Sequence, residues 1–236
     1  MELYRLLHEQ GFGSRKACRK LVEYGLVEID GVVADDYRQP VDPAAIGELV
    51  VDGEPWTLLE GPLYLMLYKP PGYKTSHKPM HNPSVFSLLP WQFSELGITA
   101  VGRLDVDTTG LLLLTTDGQF VHALTSPKRH VPKHYEVILK HPVSETLVAH
   151  LKKGVYLKDD AEKVAADAVE VLSEHSILMT ITQGRYHQVK RMIAAAGNRV
   201  EALHRQGIGT LALAELDEGE WRHLTPDELA AFGFLR

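Results

Sequence analysis

The chain has 236 residues, and 44% of them are hydrophobic, which is enough to bury the core of one large domain or two modest ones. Its single cysteine, Cys18, excludes an intramolecular disulfide and a cysteine-based zinc site, and it fits a reducing compartment. The formal net charge of -6 argues against a protein that coats nucleic acid non-specifically, although basic patches can still form locally. No stretch approaches the roughly 18 to 20 apolar residues of a membrane span, and we expect a cytoplasmic protein.

The N-terminal region predicts a helix, then a basic helix, then a β-hairpin. For the second helix, Ser14 suits the N-cap and Gly25 the position after its end. Its buried stripe is predicted at Ala17, Cys18, Leu21 and Val22. Four cations share its exposed side, in the pairs Arg15/Arg19 and Lys16/Lys20. Because like charges repel at this spacing, the cluster is either a solvated face or a surface for an anion. An Asp30-Gly31 turn then predicts the hairpin within LVEIDGVVA.

Composition predicts a domain boundary near residue 60. Residues 35–62 are rich in acids, proline and glycine, so we expect one domain at residues 1–60 and another at residues 61–236. Strand-like segments of the second domain are LYLMLY, TAVGRLD, GLLLLTT, HYEVILK, VEVL, SILMTITQ and IGTLALAEL. Helix-like segments are SETLVAHLKKG, YHQVKRMIAAAG and TPDELAAFG. Strands that outnumber helices without strict alternation predict an α+β domain with a mixed or mostly antiparallel sheet.

One stretch, VGRLDVDTTGLLLLTTDG at residues 101–118, combines a four-leucine run with charged side chains at its entrance. The leucines are typical of a fully buried strand. Arg103 and Asp105 alternate with Leu104, so an extended segment would place both on one side. Asp107 fits a turn residue or a supporting group. Carboxylates beside such a buried strand usually need a reason.

Basic residues are concentrated in three segments of this net acidic chain. Besides the second helix, residues 185–205 carry the cations Arg185, Lys190, Arg191, Arg199 and Arg205 against Glu201 alone. His187 and Gln188 fall in the first turn of the predicted helix there, where unpaired backbone N–H groups suit a phosphate. The third segment holds Lys128, Arg129 and Lys133, just before a strand that contains Tyr135. Three such segments favour a bound polyanion, most simply RNA, over solvated surface charge.

Three of these motifs resemble those of pseudouridine synthases. They are Arg103-Leu104-Asp105 followed by DTTGLLLLTTDG, then Lys133-His134-Tyr135, then GRYHQVKRM at residues 184–192. The likeness is specifically to the ribosomal small subunit pseudouridine synthase A (RsuA) group. The basic helix and hairpin resemble the alpha-L RNA-binding module of that group. The resemblance implies this module at residues 1–60 and, at residues 61–236, a catalytic domain with a mixed, mostly antiparallel sheet flanked by helices.

The resemblance also implies the reaction and the residues that carry it. These enzymes detach uracil from its ribose, turn it and rejoin it through C5, without a cofactor or a metal. Asp105 matches the essential aspartate, Lys190 the basic residue that pairs with it, and Tyr135 the tyrosine that lies against the uracil ring. Arg103 would hold the flipped nucleotide or fill its gap. The other expected RNA contacts are Arg185, His187, Gln188, Arg191, Arg15, Lys16 and Arg19.

By resemblance, the substrate is uridine 516 of 16S ribosomal RNA, with naked RNA or a partly assembled small subunit as its form. We expect a monomer. Three alternatives stay open from the sequence: a 23S ribosomal RNA target, a non-catalytic RNA-binding protein of ribosome assembly, and a metal-dependent hydrolase using Asp105, Asp107 and nearby histidines. A metal has weak support, since the calcium-like loop that starts at Asp105 places Thr116 where the twelfth-position Glu is needed.

Overall fold

The structure is a computed structural model that describes residues 1–157, 162–213 and 216–234. The chain divides into two compact units. The first comprises Met1–Leu63 and Leu89–Ile98, and the second comprises Tyr64–Leu88 and Thr99–Arg236. The segment Leu89–Ile98 therefore groups with the N-terminal residues, whereas the prediction from composition placed it in the second domain. Among the described helices, none combines the length and apolar character needed to cross a membrane.

The described residues form the following α-helices and β-strands, numbered in chain order. The helices are α1 (Leu3–Glu9), α2 (Arg15–Glu23), α3 (Trp91–Glu95), α4 (Gly118–Thr125), α5 (Glu145–Lys153), α6 (Gln188–Ala195) and α7 (Pro226–Ala231). The first unit has the strands β1 (Val27–Ile29), β2 (Val32–Val33), β3 (Leu49–Val51) and β4 (Glu54–Trp56). The second unit has β5 (Tyr64–Lys69), β6 (Thr99–Ala100), β7 (Thr109–Thr115), β8 (Lys133–Leu139), β9 (Val155–Tyr156), β10 (Lys163–Val164), β11 (Ala168–Ser173), β12 (Ser176–Ile181), β13 (Val200–Ile208), β14 (Leu211–Ala212) and β15 (Trp221–His223).

In the first unit, α1 and α2 pack against a small sheet in the order β2-β1-β3-β4. As predicted, the Ser14 hydroxyl accepts a hydrogen bond from the backbone N–H of Ala17 at 3.2 Å and caps α2. Cys18 and Val22 are buried, but Ala17 is exposed, so the buried stripe is narrower than expected. The predicted hairpin is confirmed, since Asp30 and Gly31 have φ angles of 50° and 77°, which suit a tight turn between β1 and β2.

The second unit is built on a sheet in the order β11-β12-β8-β13-β7-β5-β15, with β6 and β14 attached to β7 and β13. The pair of β13 with β7 is parallel, whereas the other described neighbours in this sheet are antiparallel. The expected α+β class with a mixed, mostly antiparallel sheet is therefore confirmed. The leucine run forms β7, and Leu111, Leu112, Leu113 and Leu114 are each 0% exposed. The strand is thus a rigid central support, because it is buried on both faces.

Two parts of the second unit differ from the predictions. The segment TAVGRLD is a strand only at Thr99–Ala100, because Gly102 has a φ of 76° and the backbone turns from Asp105 to Thr108. Arg103 and Asp105 therefore lie on a loop and not on an extended strand. The long strand β13 was not predicted. Its buried face carries Leu203 and Arg205, and a charged residue on that face breaks the alternating apolar pattern.

Candidate active site

The loop at residues 101–108 carries Asp105 and is held by hydrogen bonds from Lys69. Lys69 ends strand β5 and is 0% exposed. Its Nζ donates to the backbone oxygens of Pro70, Val106 and Thr108 at 2.9, 3.3 and 2.8 Å. Burial lowers the pKa of Lys69 to about 8, and this effect exceeds the opposing influence of Asp107 and Asp105. The sequence prediction missed Lys69; the available signal was a lysine closing an apolar strand, directly before Pro-Pro-Gly.

The carboxylate of Asp105 lies between two side chains of the α6 region. Lys190 Nζ is 3.1 Å from Oδ2 of Asp105, and Nε2 of His187 is 3.2 Å from Oδ1. Lys190 Nζ also donates to Oδ1 of Asp107 at 2.6 Å. The Asp105 side chain is 30% exposed, whereas the Asp107 side chain is 73% exposed. Lys190 therefore joins two neighbouring acids, one partly enclosed and one at the surface.

The pKa values of Lys190 and Asp107 both shift in favour of the ion pair. Burial alone would lower the pKa of Lys190, but its hydrogen bonds with Asp107 and Asp105 outweigh that effect and raise it. Burial alone would likewise raise the pKa of Asp107, but the hydrogen bond from Lys190 is among the effects that lower it. Asp107 thus supports Lys190, the residue that also contacts Asp105.

The start of α6 fixes the residues of the third motif. Helix α6 begins at Gln188, and His187 precedes it in a left-handed conformation with a φ of 48°. The ring of Tyr186 stacks on that of His187, with centroids 3.7 Å apart. Gln188 is 4% exposed, and its Oε1 accepts from the backbone N–H of Arg185 at 2.9 Å. Its amide therefore holds the turn in place. Arg191 donates from Nη1 to the backbone oxygen of Tyr186 at 3.3 Å.

A cavity of about 170 Å³ lies beside Asp105. Cavities of roughly 150 Å³ accept a six-membered ring such as benzene, so this volume suits a pyrimidine. The predicted site residues that line it are Arg103, Asp105, Tyr135, Arg185, His187, Gln188 and Lys190. Arg191 is not among the lining residues. The structure therefore brings the three sequence motifs together around one cavity.

Two paired residues of the sheet, Arg205 and Tyr135, line this cavity and form part of its floor. Successive strands pair Lys69, Gly110, Arg205, Tyr135 and Met179. Directly paired residues share a face of a sheet, so Arg205 and Tyr135 are neighbours on the cavity side. Arg205 is 3% exposed, and its Nε donates to the backbone oxygen of Leu111 at 2.7 Å. The sequence placed Arg205 in a basic cluster but did not identify it as a site residue.

The predicted RNA contacts Arg15, Lys16 and Arg19 belong to α2 in the first unit. Arg15 and Lys16 are exposed. Arg19 is half-buried, and its guanidinium lies over the rings of Tyr4 and Tyr37, at 4.6 and 5.4 Å from their centroids. This cation–π contact removes one of the four cations from the exposed side. The charge cluster that α2 offers to solvent is therefore Arg15, Lys16 and Lys20.

Within the described residues, no three histidine, cysteine, aspartate or glutamate side chains are grouped to hold a metal ion. Asp105 and Asp107, the acids of the hydrolase alternative, are instead bridged by the ammonium group of Lys190. An ammonium in that position competes with a cation for the same oxygens.

Residues 63–195 match the family model described as RNA pseudouridylate synthase. This chain belongs to that family. Residues 3–46 match the S4 domain model, which agrees with the expected RNA-binding module. The protein named "Uncharacterized RNA pseudouridine synthase YtzG" of Bacillus subtilis is 42% identical over 97% of each chain. "Ribosomal small subunit pseudouridine synthase A" of Salmonella typhimurium is 39% identical over 99% of this chain and all of that protein.

A solved structure titled "Crystal structure of pseudouridylate synthase" has the same fold, with a TM-score of 0.69 and 37% identity over 98% of this chain and 99% of the other. The sequence-based assignment to pseudouridine synthases of the RsuA type is confirmed, and so is the expected architecture of an S4 domain followed by a pseudouridine synthase domain. The protein is accordingly an isomerase that acts on RNA. Membership in this family gives no support to the alternative of a metal-dependent hydrolase.

Proposed function

We propose that this pseudouridine synthase isomerises one uridine of 16S ribosomal RNA, uridine 516, in a partly assembled small subunit. Near full-length likeness to proteins named ribosomal small subunit pseudouridine synthase A supports ribosomal RNA of the small subunit as the substrate. The observation that supports the chemistry is the Asp105 carboxylate, held between Lys190 and His187 beside a cavity of pyrimidine size. We further propose that the protein works as a monomer in the cytoplasm.

In this reaction the bond between C1′ of ribose and N1 of uracil breaks, and a bond between C1′ and C5 forms. C5 loses a proton and N1 gains one, so substrate and product are isomers and no oxidant or reductant is needed. Asp105 attacks the nucleotide or stabilises the detached intermediate. Lys190 orients the carboxylate through its 3.1 Å contact. A rigid loop of this kind suits a reaction that needs one carboxylate in a fixed position.

We assign roles to the remaining cavity residues from their positions. Tyr135 is 9% exposed and lies on the cavity floor, where its ring can contact the uracil face and its hydroxyl can move a proton. Arg103 is exposed at the cavity edge, where it can hold a nucleotide that has left its stack. The side chains of Arg185 and His187 face the same space and suit the RNA backbone. Arg191 and Gln188 support that turn.

The S4 domain gives the second RNA-binding surface in this proposal. Arg15 and Lys16 extend into solvent from one side of α2, and exposed cations of this kind contact phosphates with little regard to sequence. The S4 domain and the cavity then have separate roles. The S4 domain contributes affinity, and the cavity selects and converts one nucleotide.

Pseudouridine mapping tests the proposal directly. Both ribosomal RNAs are isolated from cells that lack the protein and are rescued with wild type or Asp105→Asn. The RNAs are labelled with carbodiimide and read by primer extension. We expect one lost stop in 16S RNA, at uridine 516, restored by wild type only. A lost stop in 23S RNA would keep the chemistry and overturn the substrate. Unchanged stops in both RNAs would favour a non-catalytic role in ribosome assembly.

A further inference from the structure

The two chain neighbours of Asp105 are hydrogen-bonded to the segment that follows strand β5. Thr75 Oγ1 donates to the backbone oxygen of Leu104 at 3.0 Å and lies 3.4 Å from the backbone nitrogen of the same residue. The backbone N–H of Gly72 donates to the backbone oxygen of Val106 at 2.7 Å. Both segments belong to the second unit. Asp105 is therefore held through the backbone on either side, in addition to the ion pair of its side chain.

Thr75 supplies the side-chain part of this contact. Leu104 is 6% exposed, so its backbone groups have little access to water and need partners inside the protein. A threonine hydroxyl can donate and accept at once, which matches the carbonyl and the N–H of one residue. The donated bond at 3.0 Å is the stronger of the two, because a separation of 3.4 Å is long for a hydrogen bond. The carbonyl of Leu104 is therefore the main contact.

This carbonyl has a direct effect on Asp105. The C=O of Leu104 belongs to the peptide group that joins Leu104 to Asp105, and a peptide group is planar. The Cα atom of Asp105 lies in the same plane as the oxygen that Thr75 binds. A hydroxyl that fixes this oxygen therefore fixes the point from which the Asp105 side chain extends.

Thr75 is itself held by the backbone before and after it. The backbone N–H of Lys74 donates to the backbone oxygen of Pro83 at 2.8 Å. On the other side, Ser84 Oγ donates to the backbone oxygen of Ser76 at 2.7 Å. The hydroxyl of Thr75 is thus presented by a turn that is hydrogen-bonded at both of its ends.

We propose that Thr75 is a positioning residue of this enzyme: its hydroxyl fixes the peptide plane before Asp105 and so aims the carboxylate at the nucleotide in the cavity. The inference rests on the proposed function, which gives Asp105 the reacting carboxylate. Displacement of a reacting group by about 1 Å can lower a rate roughly a hundredfold. Val106 stays anchored when the hydroxyl is removed, so the loss should be smaller than that caused by removing Asp105.

Thr75→Val tests the inference, because it nearly keeps the shape of the side chain and removes the hydroxyl. Rate constants are measured in single turnover, with saturating enzyme and a 16S RNA fragment that contains the proposed uridine, so a partly unfolded fraction does not change them. We expect a rate constant about tenfold to a hundredfold below wild type. The Kd for this RNA, compared in an Asp105→Asn background, should stay within about twofold, since the lost contact acts on the reaction and not on binding.

Thr75→Ser keeps a donor and an acceptor and should return the rate constant to within about threefold of wild type. Ser87→Ala is the matched control, because the Ser87 hydroxyl also donates to a backbone oxygen of this part of the chain, that of Ser84 at 2.7 Å. It should leave both the rate constant and the Kd unchanged. If Thr75→Val does not fold, Thr75→Ala removes the same hydroxyl and takes its place with the same expected loss.

Three results would overturn the inference while wild type still forms pseudouridine. The first is a rate constant of the variant without the hydroxyl that matches wild type. The second is an equal loss in Thr75→Ser, which would assign the effect to packing of the side chain. The third is a weaker Kd with an unchanged rate constant, which would make Thr75 a residue for RNA binding. Absence of product from wild type with this RNA would instead reject the proposed function.

Discussion

Among single residues, Asp105 and Asp107 differ in how much of each side chain is exposed to solvent. Both contact Lys190 Nζ, but the exposed fraction is 30% for Asp105 and 73% for Asp107. Solvent screens an exposed ion pair, so the contact with Asp107 adds little by itself. We expect Lys190→Met to lower kcat/KM about a hundredfold or more, because Asp105 loses the group that orients it. Lys190→Arg should recover most of the rate.

Asp107→Asn is the matched control for this experiment, since it removes the exposed partner of the same lysine. We expect its kcat/KM to stay within about fivefold of wild type. Single-turnover rates on the target RNA give both numbers. If Asp107→Asn lowered kcat/KM as much as Lys190→Met does, Asp107 would itself be required. That result would contradict the expectation that the more exposed carboxylate contributes less.

Lys69 makes a prediction about stability and pH. Its pKa in the folded protein is lowered from 10.5 to about 8, so between these values the unfolded chain binds more protons. The free energy of unfolding therefore rises as pH increases from about 8 to 10.5. This gain is lost as pH falls back to about 8. We expect the unfolding free energy of wild type, relative to Lys69→Met, to increase by about 1 kcal/mol per pH unit. Denaturant titrations of both proteins from pH 7 to pH 10 measure the difference. A difference that does not change with pH would contradict the enclosed position of the ammonium.

At the scale of elements, the parallel pair of β7 and β13 depends on Gly110. Its φ is 106°, and a Cβ atom there would overlap the backbone of Arg205. We expect Gly110→Ala to lower the unfolding free energy by about 2 to 4 kcal/mol, because strain and the displaced strand add together. Gly118→Ala, at the start of α4 with nothing within 4 Å of its Cβ position, should change it by less than about 1 kcal/mol. Chemical denaturation compares the two, and equal losses would refute the role of the close approach.

Elements with a strong periodic pattern were predictable from sequence, and those that depend on distant contacts were not. β7, α5 and α7 follow from an apolar run or from caps such as Ser144 and Thr225. β13 was missed because Arg205 occupies a buried position, where it donates to the backbone oxygen of Leu111 on the neighbouring strand. The motifs predicted Asp105, Tyr135 and Lys190 as site residues, and the fold places these three around one cavity. Lys69 escaped notice, since its importance comes from the loop carbonyls that the fold places beside it.

At the scale of the whole molecule, a net charge of -6 coexists with binding to a polyanion because the cations are placed on specific surfaces. In α2, Arg15 and Lys16 are exposed and adjacent, so each can release one counterion on binding a phosphate. We expect the double variant Arg15→Ala/Lys16→Ala to reduce the slope of log Kd against log salt by about 1 to 2, while single-turnover conversion of bound RNA is retained. Binding of target RNA across a salt series measures the slope. Lys152→Ala/Lys153→Ala removes two exposed, adjacent cations from α5 and should leave it unchanged. Equal slopes for the two variants would mean that overall charge, and not the surface of α2, determines RNA affinity.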